Sequence, residues 1–262
     1  MPDLKPVALI TGASAGIGAA LAGVFADNGH ALVLVARRAP QLKMLADKIE
    51  ERGHARPHVI AIDLALPDAA ARIEDELRES GLEPRFVVNN AGFGLMGAAA
   101  SLDRKQQLSM IDVNVRVLTD LSLRFVESLA RHNGGILNVA SVASFMPGPG
   151  MAVYHATKAY VLSFSEALHR ELAHRGVRVT ALCPGPVETE FMARAGIPEN
   201  HFPHLLSRTA LRVARDGYDG LMRGKRVVLP GSGNKIAALL ARLLPRRLVL
   251  GLTRAATRSD LK

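Results

Sequence analysis

The sequence predicts an α/β fold: a doubly wound, parallel, seven-stranded sheet with helices on both faces. Three observations carry this. Seven short, almost wholly apolar runs recur along the chain, amphipathic stretches lie between them, and a glycine-rich turn joins the first run to the first helical pattern. Runs that are apolar throughout fit strands buried on both faces, as in a parallel sheet covered by helices. Strand–helix alternation then implies right-handed crossovers and a sheet wound in both directions from its first strand.

The elements follow in order. PVALIT (6–11) is the first strand, and IGAALAGVFADNG (17–29) the first helix, ending on a glycine C-cap candidate. ALVLVA (31–36), PHVIAI (57–62), RFVVN (85–89), GILNVA (135–140), VRVTAL (177–182) and RVVLP (226–230) read as the remaining strands. No internal repeat, low-complexity tract or Ser/Gly linker breaks the series. One domain over 1–262 is therefore expected, with 233–262 as a basic helical extension.

Composition narrows the function classes. The 262 residues are 48% hydrophobic and 22% charged, as in ordinary globular proteins. A single cysteine, Cys183, allows no disulfide within the chain and no cysteine-rich metal site, so a reducing, cytoplasmic setting is expected. The N-terminus lacks the pattern of a secretory signal, and no apolar run is long enough to span a bilayer. The net charge of +9 resides in residues 223–262, which hold ten Lys/Arg and one acid. The body is balanced, which argues against a nucleic-acid-binding protein.

Candidate binding residues fall at the carboxyl ends of strands, where open α/β sheets hold ligands. In TGASAGIG, Gly12 permits a tight turn, while Gly16 and Gly18 flank Ile17 where backbone and helix N-terminus can approach a pyrophosphate. The second strand ends in VARRA. No carboxylate stands there to hold a ribose 2′-hydroxyl, whereas Arg37 and Arg38 suit a 2′-phosphate, with Ser14 adding a hydroxyl. The cofactor expected is therefore NADP(H). Asp63 and Leu64 end the third strand as adenine contacts. Asn89 closes the end of the fourth strand, with Ala91 and Gly92 leaving room for a ribose.

Beyond the fifth strand come Ser141 and YHATK (154–158), which places Tyr154 and Lys158 one helical turn apart on one face. Taken alone, Y-x-x-x-K is a weak signal. The ordered set TGASAGIG, NNAG (89–92), Asn114 in DVNVR, Ser141, YHATK and PGPVET (184–189) is specific. In that set the chain resembles the short-chain dehydrogenase/reductase family, over residues 7–190 or so.

The resemblance implies a Rossmann fold and an oxidoreductase interconverting a ketone or aldehyde and an alcohol. It implies Tyr154 as general acid/base, Ser141 as the group holding the substrate oxygen, and Lys158 on the nicotinamide ribose. Asn114 would anchor a water behind Lys158. Pro184, Gly185, Val187 and Thr189 would close over the nicotinamide. Lys158 and the cationic nicotinamide are expected to pull the Tyr154 pKa below its free value of about 10. A homodimer or homotetramer is also implied.

FMARAGIPENHFPHLL (191–206) stands where this family carries its substrate lid, and its apolar residues suggest a small apolar substrate. The histidines, including His155 and the His201/His204 pair, show no metal-ligand spacing, so no metal is expected. The tail reads as two basic helices broken at Pro245, with Ile236, Leu239, Leu240 and Leu243 on one face. It packs on the body or a second subunit, lies peripherally on an anionic membrane, or binds nucleic acid. The last is weakest, because no aromatics interleave the charges. The alternative to an enzyme is a cofactor-binding sensor or scaffold docking through this tail. The complete Ser–Tyr–Lys–Asn set argues against it.

Overall fold

The computed structural model describes residues 4–198 and 207–256. Seven parallel strands form one sheet in the order β3-β2-β1-β4-β5-β6-β7. They are β1 (Lys5–Thr11), β2 (Leu32–Ala36), β3 (His58–Ala61), β4 (Leu82–Asn89), β5 (Gly135–Val139), β6 (Arg178–Leu182) and β7 (Val227–Val228). All seven expected strands are present. The last is the shortest: only Val227 and Val228 of RVVLP pair, with Ala181 and Leu182.

Period-two alternation divides the core. Ala8 and Ile10 of β1 face α1 (Gly16–Asp27), α2 (Ala39–Glu51) and α9 (Ala210–Met222), where Phe25, Leu42 and Leu221 are buried. Val7 and Leu9 face the other layer, α3 (Ala69–Glu79), α5 (Val117–Arg124), α6 (Val126–Arg131) and α7 (Ala152–Leu172). Each strand is thus apolar on both faces, as its sequence required. The chain reverses between β1 and β4, and the loops after the strands open there into one cleft.

Helix α1 ends at Asp27, and Gly29 takes φ +77, the left-handed conformation a glycine adopts without strain. Between α4 (Arg104–Ile111) and α5, residues Asp112–Arg116 form a π-helical turn. Such a bulge re-aims one side chain into a core, and here it carries Asn114. Asp112, a structural residue, holds Arg116, whose guanidinium donates to the carbonyls of Ala65 and Pro67 below the cleft.

The tail forms α10 (Ser232–Leu243) and α11 (Arg246–Ala256), broken at Pro245 as expected. Its orientation differs from simple packing of the leucine face on the body. Asn234, Ala238 and Val249 are buried, whereas Ile236, Leu239, Leu240 and Leu243 are exposed. Small residues face inward because they allow α10 to approach the 3-10 turn Val142–Phe145 closely, and Arg242 lies over the Phe145 ring.

Candidate active site

The glycine turn shows why these residues are glycines. Gly12 and Gly16 take φ +67 and +58. A Cβ on Gly12 would meet Asn90 and the Ala91 backbone within 3.0 Å, and one on Gly16 would press on Thr189 at 3.1 Å. Helix α1 begins at Ala15 with no side-chain cap and no acid in its first turn. Its leading N–H groups and positive dipole end therefore face the cleft, a ready anion seat. Ser14 and Ile17 line the same space. Gly18 does not: a Cβ there would lie 2.3 Å from the Gly12 carbonyl oxygen, so its role is to let α1 pack on the turn.

At the end of β2, Arg38 donates to Ser14 Oγ at 3.2 Å and pairs with Glu190 at 2.8 Å. Arg37 sits 4.0 Å from Asp63, an ion pair beyond hydrogen-bond distance, and Asp63 accepts from the Ala65 N–H. Asp63 is thus engaged by an arginine before any adenine arrives. Leu64 is buried in the cleft wall.

The fourth strand corrects one expected contact. Asn89 points away from the cleft, donating to Ser122 Oγ and Asn138 Oδ1, both at 2.9 Å. It crosslinks β4 to β5 and α5. Its neighbour Asn90 lines the cleft and donates to the carbonyls of Thr11 and Gly12. Ala91 and Gly92 also line the cleft.

Ser141, Tyr154 and Lys158 share one cavity. Ser141 caps the 3-10 turn: its Oγ accepts from the Ala143 N–H, while Ser144 Oγ accepts from the Ser141 N–H and donates to the Lys158 carbonyl. The capping role and the catalytic one are compatible, because accepting from Ala143 leaves the Ser141 hydroxyl proton free to be donated into the cavity it shares with Tyr154. Tyr154 lies in the first turn of α7, where the helix dipole favours an anion. Lys158 Nζ donates to the Val139 carbonyl at 2.8 Å and lies 5.9 Å from the Tyr154 ring centre.

Asn114 is fully buried behind this group. Its Oδ1 accepts from the Phe93 N–H, and its Nδ2 donates to the Phe93 carbonyl and Thr157 Oγ1. Both amide protons are spent on protein, so any water would use the remaining lone pair of Oδ1. Asn114 acts here as a strut between the loop after β4 and the helix that carries Tyr154.

Among the chain's own groups, burial opposes the lowering expected from Lys158 and the cationic nicotinamide together. The phenol is half-buried on the cavity wall, and desolvation pushes its pKa up to about 12, against a smaller lowering by Ser141. Lys158, more deeply buried, is brought down to about 8 by desolvation. The sequence reading weighed charge proximity and had no access to burial.

A stability prediction follows from Lys158. Between about 8 and its ordinary 10.5, the unfolded chain holds a proton that the folded chain has released. Stability therefore rises with pH across that window, by at most roughly 3 kcal/mol. In Lys158→Met that contribution is gone. The urea midpoint of the parent should gain on that of the variant between pH 8 and 10; parallel curves would refute it.

The PGPVET segment closes the other side. Pro184, Gly185 and Val187 line the cavity, and Gly185 packs against Asn234 so closely that a Cβ would clash at 2.4 Å. Thr189 caps the short helix α8 (Glu190–Ala195), its Oγ1 accepting from the Phe191 N–H. Phe191 stacks obliquely on Tyr154 at 5.5 Å. His155 is held by the Met146 carbonyl and packs on Gly148, so it is a wall residue. His201, His204, Phe202 and Leu205 lie outside the described residues.

Two cleft residues were missed by sequence reasoning. Asn90 was one position from the residue chosen. Arg194 of α8 lies over the Phe93 ring at 4.6 Å, and burial and the charges of Arg37 and Arg38 lower its pKa. A basic residue within the expected lid was its only trace in the sequence.

The whole cavity measures about 640 Å³ and runs from the arginines to Tyr154. The model of the short chain dehydrogenase family matches residues 6–199. The sulfoacetaldehyde reductase 2 of Chromohalobacter salexigens is 38% identical over 197 residues, covering 74% of this chain and 77% of that protein. A short-chain dehydrogenase from Sphingobium yanoikuyae, solved with NADPH, superposes with a TM-score of 0.80 at 32% identity, covering 98% of this chain and 96% of that one. The bulky-bulky ketone specific alcohol dehydrogenase of Comamonas testosteroni gives 0.75 at 30% identity, covering 99% and 96%. The chain belongs to the short-chain dehydrogenase/reductase family of oxidoreductases acting on alcohol and carbonyl groups.

Proposed function

We propose that the protein is an NADP(H)-dependent reductase of small, largely apolar ketones or aldehydes. The observation that carries this reading is the convergence of Ser141, Tyr154 and Lys158 on one cavity that also holds the arginines. Met96, Met146, Met151, Phe191, Met192 and Ile197 supply an apolar wall for the substrate. The glycine turn, the uncapped start of α1 and the arginines at the end of β2 fit a dinucleotide carrying an additional phosphate.

When bound, the nicotinamide supplies the hydride exchanged with the substrate carbon. The chain's residues do the rest. Ser141 donates to the carbonyl oxygen and fixes it beside Tyr154. Tyr154 gives its phenolic proton to that oxygen as negative charge develops. Burial raises the phenol's pKa, so Tyr154 carries at neutral pH the proton that reduction consumes. Lys158 places a donor beside the ribose and a positive charge near the phenolate left behind. The comparisons agree in class: two are with enzymes named for reduction of an aldehyde or action on bulky ketones.

The test is a fluorescence titration with NADPH and NADH, followed by a panel of ketones and aldehydes read at the nicotinamide absorbance. NADPH should bind more tightly, and apolar ketones should consume it. Binding of NADPH with no turnover across the panel would favour the cofactor-sensing alternative. Binding of neither would overturn the reading.

A further inference from the structure

The two C-terminal helices have an outer surface that the catalytic reading does not use. Along α10, Leu239 and Leu243 are 56% and 72% exposed, with Ile236 and Leu240 beside them. On α11, Leu248 and Leu252, one turn apart, are 56% and 63% exposed. Lys235, Arg242, Arg246 and Arg247 stand exposed among these leucines. Arg242 and Arg246 also border a second cavity of about 230 Å³ between the two helices and Phe145. The inner sides of the same helices are committed, since Asn234, Ala237 and Thr253 line the catalytic cavity.

We infer that the outer face of α10 and α11 docks on an anionic membrane surface. Three observations select this occupant. Leucines left in water along two helices whose inner sides are seated on the body need an apolar cover. Residues 223–262 carry ten cationic side chains and one acid, while the rest of the chain is balanced. A second copy meeting through this same face would set cations against cations, because a two-fold contact pairs a surface with itself. An anionic lipid surface accepts both features: acyl chains take the leucines, and headgroup phosphates take the guanidiniums. Among the described residues no helix is long and apolar enough to cross a bilayer, so these helices lie in the interface.

The test is sedimentation of the full-length protein with vesicles of phosphatidylglycerol and phosphatidylcholine in equal parts, and with phosphatidylcholine alone. The protein should pellet with the anionic vesicles, and raised salt should weaken this. The double variant Arg246→Glu/Arg247→Glu should lose at least about tenfold in partition, at about 1 kcal/mol for each basic residue at the surface. Leu239→Asp/Leu243→Asp should lose as much while keeping the parent's mass in sedimentation velocity. Failure to pellet, equal pelleting with phosphatidylcholine alone, or a leucine variant of smaller mass would overturn the inference, the last by making the face a subunit seat. No cofactor or carbonyl is present, so failure of the reductase reading leaves this result unaffected.

Discussion

Tyr154→Phe should abolish turnover while binding NADPH as tightly as the parent. The substitution removes one oxygen from a ring packed between Phe191 and the cavity wall, so shape is conserved. What is lost is the proton that the substrate oxygen must receive. General acid catalysis typically contributes a hundred- to ten-thousand-fold, and the loss should fall near the top of that range. Ser141 also donates to that oxygen but keeps its own proton, so Ser141→Ala should cost less. Cofactor affinity should persist, since the glycine turn, the start of α1 and the arginines are untouched. Turnover within tenfold of the parent would remove Tyr154 from the chemistry. Loss of NADPH binding would instead show that the phenol is part of the cofactor seat.

The fold was legible because its signals are local. Apolar runs, glycine at a turn and Tyr–Lys spacing on a helix each follow from the residues themselves, and the structure puts all seven strands where the runs lie. What could not be read depends on neighbours distant in sequence. Asn89 and Asn90 are adjacent, yet alternation along β4 sends the first toward Ser122 and the second into the cleft. A one-residue offset at a strand end decides between them. The leucine period of α10 identified a face but not what it meets, and the small residues Asn234 and Ala238 proved to be the inward side. The desolvation of Tyr154, which opposes the lowering expected from Lys158 and the nicotinamide, likewise comes from groups far apart in sequence. Arg194 reaches the cofactor end only because α8 folds back over Phe93.

Arg37→Asp should reverse the cofactor preference from NADPH to NADH. The side chain stands 4.0 Å from Asp63, so the variant would put two carboxylates where the proposed 2′-phosphate would sit. A hydrogen bond to a charged group contributes about 1.5–3 kcal/mol, roughly ten- to over a hundredfold in affinity. Arg37 is half exposed, so loss of the cation alone belongs at the low end. Repulsion adds to it, and NADH, lacking the phosphate, gains an acceptor for its ribose hydroxyl. The neighbouring groups sharpen the test. Arg38 is held by Glu190, which a phosphate must displace or share. Glu190→Gln should therefore tighten NADPH binding and leave NADH unchanged. Arg194→Ala should weaken NADPH by about tenfold through loss of one charge-assisted contact. Equilibrium titration with both cofactors reads each effect without turnover. An unchanged NADPH-to-NADH ratio in Arg37→Asp would move the phosphate seat elsewhere. A ratio altered only in Glu190→Gln and Arg194→Ala would place it between Arg38 and Arg194, with Arg37 serving to hold Asp63.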